Sequence, residues 1–347
     1  MNLLFINIVL TIMISLILIN IAKKYKNLLH HLHSNVQKIH EEFIPRLGGI
    51  SLISFYTIFL FDYQNYENKL LLYFFISFLV LLLGFFEDIS EALNSKNRAI
   101  LSTFIILILI FNFDYRIDSI EFELVDNLFK YEIISFIFIF LCFFASVHSY
   151  NIIDGMNGLC SGYSLVVLFS LYYVTKIQDF FLIEGLILSF IGSIIGFFLL
   201  NFPKPKIFLG DSGSFFIGLN IGIFAIIIFN LSNNISALFF ALLFIYPLIE
   251  FVFSFTRRIV FLKTNPFKSD FLHLHSLMYS YLDKRKVFSD SKFNNSLSSF
   301  ILITIFSVEI IISLFFLNHK FLLFSMILVS ILIYFFLYII LYRIVVK

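Results

Sequence analysis

The segment Phe208-Leu-Gly-Asp-Ser-Gly-Ser214 sets one carboxylate, two glycines and two hydroxyls in a short polar break between two apolar runs. A carboxylate in such surroundings is costly unless it meets a cation, a partner or water. The glycines allow the backbone to turn and a ligand to come close. Ser212 or Ser214 can cap the helix that follows, and a helix N-terminus attracts phosphate. As chemistry, this is a metal and diphosphate site at a membrane surface. As plain structure, it is an interhelical turn, because Gly, Asp and Ser dominate turns.

Four more clusters carry the same kind of chemistry. Glu41-Glu42-Phe-Ile-Pro-Arg-Leu-Gly-Gly49 brings Arg46 to the edge of an apolar run, where it serves as an interface anchor or a bidentate phosphate contact. Gly84-Phe-Phe-Glu87-Asp88 ends another run, with Arg98 soon after it. Adjacent acids at a helix C-terminus oppose the helix dipole, and a metal or a basic group would relieve that cost. In Asn151-Ile-Ile-Asp154-Gly-Met-Asn157-Gly158, a helix continuing through the segment would put Asn151 and Asp154 on one face. Asn201-Phe-Pro-Lys-Pro-Lys206 leads into the Asp211 segment. The fifth cluster holds Arg257-Arg258 and then Asp270-Phe-Leu-His273-Leu-His275. Alternate histidines on an extended segment project to one side, where they could bind metal, contact phosphate or move protons.

These clusters must be held by membrane helices. The 347 residues are 60% hydrophobic and 13% charged, with 51 Phe and no Trp. No soluble domain could cover that much apolar surface. The net charge of +2 gives no case for nucleic acid. Cys142 and Cys160 suggest neither a disulfide framework nor a metal site. The fold class is all-α, a polytopic membrane protein of about 11 transmembrane helices forming one domain over 1–347. The expected spans are 3–22, 47–61, 70–86, 99–113, 133–150, 159–175, 180–200, 215–230, 235–256, 297–317 and 321–342. The first reads as a retained span, not a signal peptide. The loops at 23–46, 87–98, 151–158, 201–214 and 257–296, with the tail, then share one side and hold 19 of the 24 Lys and Arg. The positive-inside rule makes that side cytoplasmic, with the N-terminus outside and the C-terminus inside. Every polar cluster falls on it. The opposite loops, Asp62–Lys69 and Asp114–Lys130, look like solvated connectors.

In this order, the motifs resemble the polyprenyl-phosphate N-acetylhexosamine-1-phosphate transferases, from Pro45-Arg46-Leu-Gly-Gly49 to about His275. The Asn-x-x-Asp-Gly and Phe-x-Gly-Asp-x-Gly-Ser segments are specific, with Asn201-x-Pro203 ahead of the second. The loop Arg257-Arg258…Pro266-Phe…Asp270-x-x-His-Leu-His resembles the amino-sugar branch of that family, not its muramoyl-pentapeptide branch. Three positions depart from the usual pattern: Glu87 in place of Asp, Ser276 in place of a third His, and Glu250 as the acid near Pro247.

The resemblance implies transfer of N-acetylhexosamine 1-phosphate from a UDP-sugar to undecaprenyl phosphate, with release of UMP. That step initiates a cell-envelope glycan of O-antigen, capsule or teichoic-acid type. It implies Mg2+, with Mn2+ as a substitute, an active site at the cytoplasmic face and location in the cell inner membrane. Asp211 is the expected metal ligand, with Asn151 as a second oxygen donor. Asp88 would orient or deprotonate the lipid phosphate, with Glu87 beside it, and Asp154 would line the same centre. Phe208 and Asn157 match positions around the uracil. Arg46, Arg98 and Asn201 complete the expected substrate contacts, and Arg257, His273 and His275 would meet phosphate or the hexosamine. The partners are the nucleotide sugar, the lipid acceptor and the bilayer, without nucleic acid and with room for a homodimer. The alternatives are a muramoyl-pentapeptide transferase, a secondary transporter, which would carry its acids near the bilayer midplane and show paired repeats, and a non-enzymatic scaffold.

Overall fold

A computed structural model describes residues 2–25, 44–58, 68–90, 94–113, 117–232, 234–266 and 270–346. The described residues are helical, with turns and no strands. In chain order the helices are α1 (Asn2–Lys24), α2 (Gly48–Ser51), α3 (Asn68–Ser90), α4 (Ser95–Asn112), α5 (Glu123–Phe129), α6 (Glu132–Ile153), α7 (Leu159–Ile177) and α8 (Phe181–Asn201). They continue as α9 (Gly210–Leu231), α10 (Ala237–Leu243), α11 (Ile245–Thr256), α12 (Leu274–Lys284), α13 (Ser291–Ser313) and α14 (Lys320–Val345). A 3-10 turn, Leu52–Thr57, follows α2, and one π turn, Arg257–Phe261, extends α11.

Among the described residues, nine helices are long and apolar enough to cross a bilayer, or ten with the α10–α11 pair, which bends by 70°. The expected ninth span, 235–256, is that pair. The bend has a local cause. Pro247 lacks the N–H that would reach back to the Leu243 carbonyl, and that carbonyl accepts the Tyr163 hydroxyl at 3.1 Å instead. The expected second span, 47–61, is not a long helix in its described part. It is α2 and the 3-10 turn, and its remainder lies outside the described residues. The same holds for Glu41, Glu42, Phe267 and Lys268, and for most of the loops at 23–46 and 62–69.

In lipid, helices associate through close packing and interhelical hydrogen bonds rather than by burial of apolar area. Helix α9 is the most enclosed of the long helices and packs along α3 and α6. A Cβ on Gly49 would run into the Gly213 backbone nitrogen, and one on Gly84 into the Ser212 nitrogen. These two glycines let α2 and α3 close on the first turn of α9. Helix α1 lies along α8, joined by Asn7 Nδ2 to Ser189 Oγ at 2.7 Å. Short α12 is enclosed by α13 and α14.

Helix ends differ from the sequence expectation where the polar clusters lie. Helix α9 begins at Gly210, so the Asp211 segment is its first turn and not a loop before it. Helix α3 runs on to Ser90 and carries Glu87 and Asp88. Helix α6 stops at Ile153, leaving Asp154 as the residue that ends it, with φ −77 and ψ 41. His275 sits in the first turn of α12 and His273 just ahead of it, so the histidines are not on an extended segment. They still face one side, with their rings stacked at 5.1 Å and 7°.

Candidate active site

A helix start leaves its first N–H groups without partners inside the helix. Neither serine caps α9; two carboxylates from elsewhere in the chain take these groups instead. Asp88 Oδ1 accepts the Asp211 N–H at 2.8 Å. Its Oδ2 accepts the Ser212 N–H at 2.9 Å and the Ser212 hydroxyl at 2.7 Å. Asp154 takes a hydrogen bond from the Gly210 backbone. The positive end of the helix dipole therefore faces acids. Gly210 has φ +76, and a Cβ there would press on the Asp88 carboxyl, so the turn needs glycine.

Asp211 points away from this cap and is nearly buried, with 6% of its surface exposed. Its Oδ1 is 3.4 Å from Arg46 Nη2 and 3.1 Å from Asn151 Nδ2. Its Oδ2 is paired with Arg98. Arg98 Nη1 also lies 3.8 Å from Glu87, and Arg46 Nη2 lies 3.9 Å from Asp88. The chain thus brings Arg46, Glu87, Asp88, Arg98, Asn151, Asp154 and Asp211 together from five separate segments. Burial pushes the Asp154 carboxyl well above its ordinary range; Arg46 pulls it down, and Asp211 and Asp88 push it further up.

Among the described residues, no three His, Cys, Asp or Glu side chains converge as a ready metal cage. Magnesium does not require one, since it commonly takes one or two carboxylates and completes its shell with substrate phosphates and water. The donor set fits that pattern, with the Asp211 carboxylate held only by side-chain donors that can move. Asn151 turns its amide nitrogen toward Asp211 and Ser214, so acting as an oxygen ligand requires its amide to rotate.

Other expected residues serve the framework. Asn157 is buried, with its N–H on Asn295 Oδ1 at 2.7 Å and its amide on Ser296 at 3.3 Å. Asn201 accepts the Gly158 N–H at 2.6 Å and donates to the Ile207 carbonyl at 2.9 Å, tying the Asp154 turn to the segment that leads into α9. Phe208 is half-buried, and its backbone pairs with Pro45 and Gly48, which places Arg46 beside Asp211.

The last cluster forms a second pole. Arg257 grips Asp270 with Nη2 at 2.8 and 3.0 Å and the Leu272 carbonyl with Nη1 at 2.6 Å. It also lies over the Phe253 and Tyr338 rings. Arg258 holds Asp270 at 2.8 Å. Burial alone would raise the Asp270 carboxyl, but these two guanidiniums hold it at about 2. His275 is buried against Gly155, where a Cβ would strike its ring, and this contact joins the two poles. The sequence reading gave no separate role to Asp270 or Glu250. The signal available for Glu250 was a lone acid three residues after Pro247 inside an apolar run.

A cavity of about 380 Å³ lies between α6, α9, α10 and α11. Its walls are almost wholly apolar, including Phe138, Phe143, Ile226 and Phe240, and its lining reaches Ser149, two residues from Asn151.

Residues 70–229 match the model of glycosyl transferase family 4. The chain is 29% identical over 260 residues to the undecaprenyl-phosphate alpha-N-acetylglucosaminyl 1-phosphate transferase of Thermotoga maritima, covering 72% of this chain and 73% of the relative. A Bacillus subtilis relative, described as a probable undecaprenyl-phosphate N-acetylglucosaminyl 1-phosphate transferase, is 24% identical over 71% of this chain and 68% of its own. A phospho-N-acetylmuramoyl-pentapeptide-transferase of Prochlorococcus marinus is 31% identical over 61% of this chain and 63% of its own. The matched stretch runs from α3 through α9 and contains Asp88, Arg98, Asn151, Asp154 and Asp211, the residues that meet at the start of α9. Over that stretch, a little under half of its length, the chain is similar to glycosyl transferase family 4.

Proposed function

We propose that the protein transfers N-acetylhexosamine 1-phosphate from a UDP-sugar to undecaprenyl phosphate and releases UMP, starting an envelope glycan. The observation that carries this reading is the meeting of two arginines with a nearly buried carboxylate at a capped helix N-terminus. Both substrates are anions, and such a site offsets their charge while fixing their position. The acceptor oxygen attacks the sugar-linked phosphorus, and the bond to the UMP oxygen breaks. Arg46 and Arg98 leave Asp211 to contact the diphosphate. Asp211, with Asn151 once its amide has turned, would hold magnesium. When bound, magnesium neutralises the diphosphate and polarises the phosphoryl group. Asp88 spends its oxygens on the cap, so its work is to fix Asp211 and the first turn of α9. The apolar cavity beside Ser149 suits a polyprenyl chain.

The excess of Lys and Arg in the stretches of sequence assigned to the polar end supports a cytoplasmic position for that end, where nucleotide sugars are found. The donor is a simple UDP-N-acetylhexosamine, as in the two N-acetylglucosaminyl relatives. The test is a panel of UDP-sugars with undecaprenyl phosphate and magnesium, scored by UMP release and lipid product mass. Turnover with UDP-muramoyl-pentapeptide and with no simple UDP-N-acetylhexosamine would overturn the donor assignment.

A further inference from the structure

Glu250 takes no part in the transfer just described, yet it is fully buried in α11. A carboxylate there is costly unless both oxygens are met. Its Oε1 accepts from His273 Nδ1 at 2.8 Å and from the Ser254 hydroxyl at 3.3 Å. Its Oε2 accepts from the Tyr334 hydroxyl at 3.1 Å and from the Leu274 N–H at 3.2 Å. Four donors from α11, α12 and α14 thus fix both oxygens.

The far side of the His273 ring decides its tautomer. Its Nε2 lies 3.2 Å from Arg258 Nη2, and a guanidinium only donates. Nε2 therefore carries the lone pair and Nδ1 the proton, which points at Glu250. Arg258 is itself fixed by Asp270 and by the Pro266 carbonyl at 2.8 Å. His273 is stacked on His275, and His275 packs on Gly155, next to Asp154. The Nδ1 of His275 is buried with no hydrogen-bond partner among the described residues. Buried polar atoms are seldom left so, and a ligand group is one way of meeting them.

We propose that Glu250 is the positioning residue of the donor site: it locks His273 as the Nδ1–H tautomer and, through the stacked pair, holds the His275 ring with Nε2 against the Asp154–Gly155 turn, leaving its Nδ1 open for the nucleotide sugar. The inference rests on the transfer reaction proposed above. A carboxylate with a purely structural role would be replaced by Gln with little effect on tautomer or donor binding. A positioning carboxylate would not, because Gln can donate as well as accept and so permits the other tautomer.

The experiment uses the full-length protein with 15N-labelled histidine, the His273 signal being assigned by its loss in His273→Asn. The wild-type protein should show a fixed Nδ1–H tautomer at His273; an Nε2–H form or a mixture overturns the proposal without any Glu250 variant. In Glu250→Gln the tautomer should become mixed or reversed, and KM for the UDP-sugar should rise about 10- to 100-fold. KM for undecaprenyl phosphate should stay within about twofold, and Glu250→Asp should recover part of the loss. A native tautomer in Glu250→Gln, or a changed tautomer with unchanged donor KM, would overturn the positioning role alone. A wild-type protein that releases no UMP from any UDP-sugar would overturn the transfer reaction itself, and the donor-site role with it.

Discussion

Asp211 draws three donors from three chain segments onto its two oxygens, and Asp88 draws three more onto the turn that carries it. The two acids thus differ in what their loss removes. Asp211→Asn keeps the shape and loses the charge that would hold magnesium. Transfer should fall by on the order of 10²-fold or more, with insertion and thermal unfolding close to wild type. Near-normal turnover at ordinary magnesium would remove Asp211 from the metal role. Asp88→Asn turns an NH2 toward N–H donors and leaves at least one unsatisfied, a cost of about 1–3 kcal/mol. It should lower both thermal stability and turnover. Glu87→Asp should be tolerated, because Glu87 meets Arg98 only at 3.8 Å; a loss equal to that of Asp88→Asn would show that reach matters at this position as well. The residue types were legible in the sequence because Asp, Asn, Arg and His are rare in so apolar a chain. Their partners were not. The bonds of Asp88 cross more than 120 residues of sequence, and only folding shows that Arg257 is occupied by Asp270 and Leu272.

Elements succeed or fail here by how closely they approach. The nitrogen of Gly213 leaves no space for a side chain on Gly49. Gly49→Ala should therefore shift Arg46 away from Asp211 and reduce turnover more than it reduces insertion, as measured by UMP release per inserted protein. Helix α12 adds a dependence on pH. Burial first, and then the neighbouring His273, lower His275 from its ordinary 6.5 to about 3. Between those values the unfolded chain binds a proton that the folded chain refuses. Stability should rise with pH across that window and be lost as pH falls through it. The thermal midpoint should drop on acidification from about pH 7 to about pH 5, and less so in His275→Gln; equal slopes would show that His275 is not the group responsible. Hydropathy located the long helices, since each needs a continuous apolar run. It missed the start of α9 and the whole of α12, which lies in the expected loop 257–296, because their first turns are polar, and the capping that makes them helical comes from Asp88 in one case and from the Glu250 pocket in the other. The bend at Pro247 could have been read from the sequence, but the Tyr163 hydroxyl that stabilises it could not.

At the scale of the whole molecule, one end of the bundle gathers the ends of α3, α6 and α8, the starts of α4, α7 and α9, and the segment between α11 and α12. The alternation of apolar runs and polar breaks made that gathering legible, since successive spans return the chain to the same side. Which breaks touch one another was not legible, because hydropathy carries no lateral order. The cytoplasmic orientation proposed for that end is what the positive-inside rule expects, since 19 of the 24 Lys and Arg fall in the stretches of sequence assigned to that side. A cysteine at the exposed position Arg285 should resist an impermeant label in intact cells and react in inverted vesicles; the reverse would put the site on the wrong side for cytosolic nucleotide sugars. The central claim is that a phosphosugar, and not a bare sugar, is moved. Its most direct test is to supply purified protein with undecaprenyl phosphate, magnesium and UDP-N-acetylglucosamine carrying 32P in the sugar-linked phosphate. Transfer as proposed places the label in the lipid and releases unlabelled UMP. Label recovered in released UDP, with none in the lipid, would contradict it.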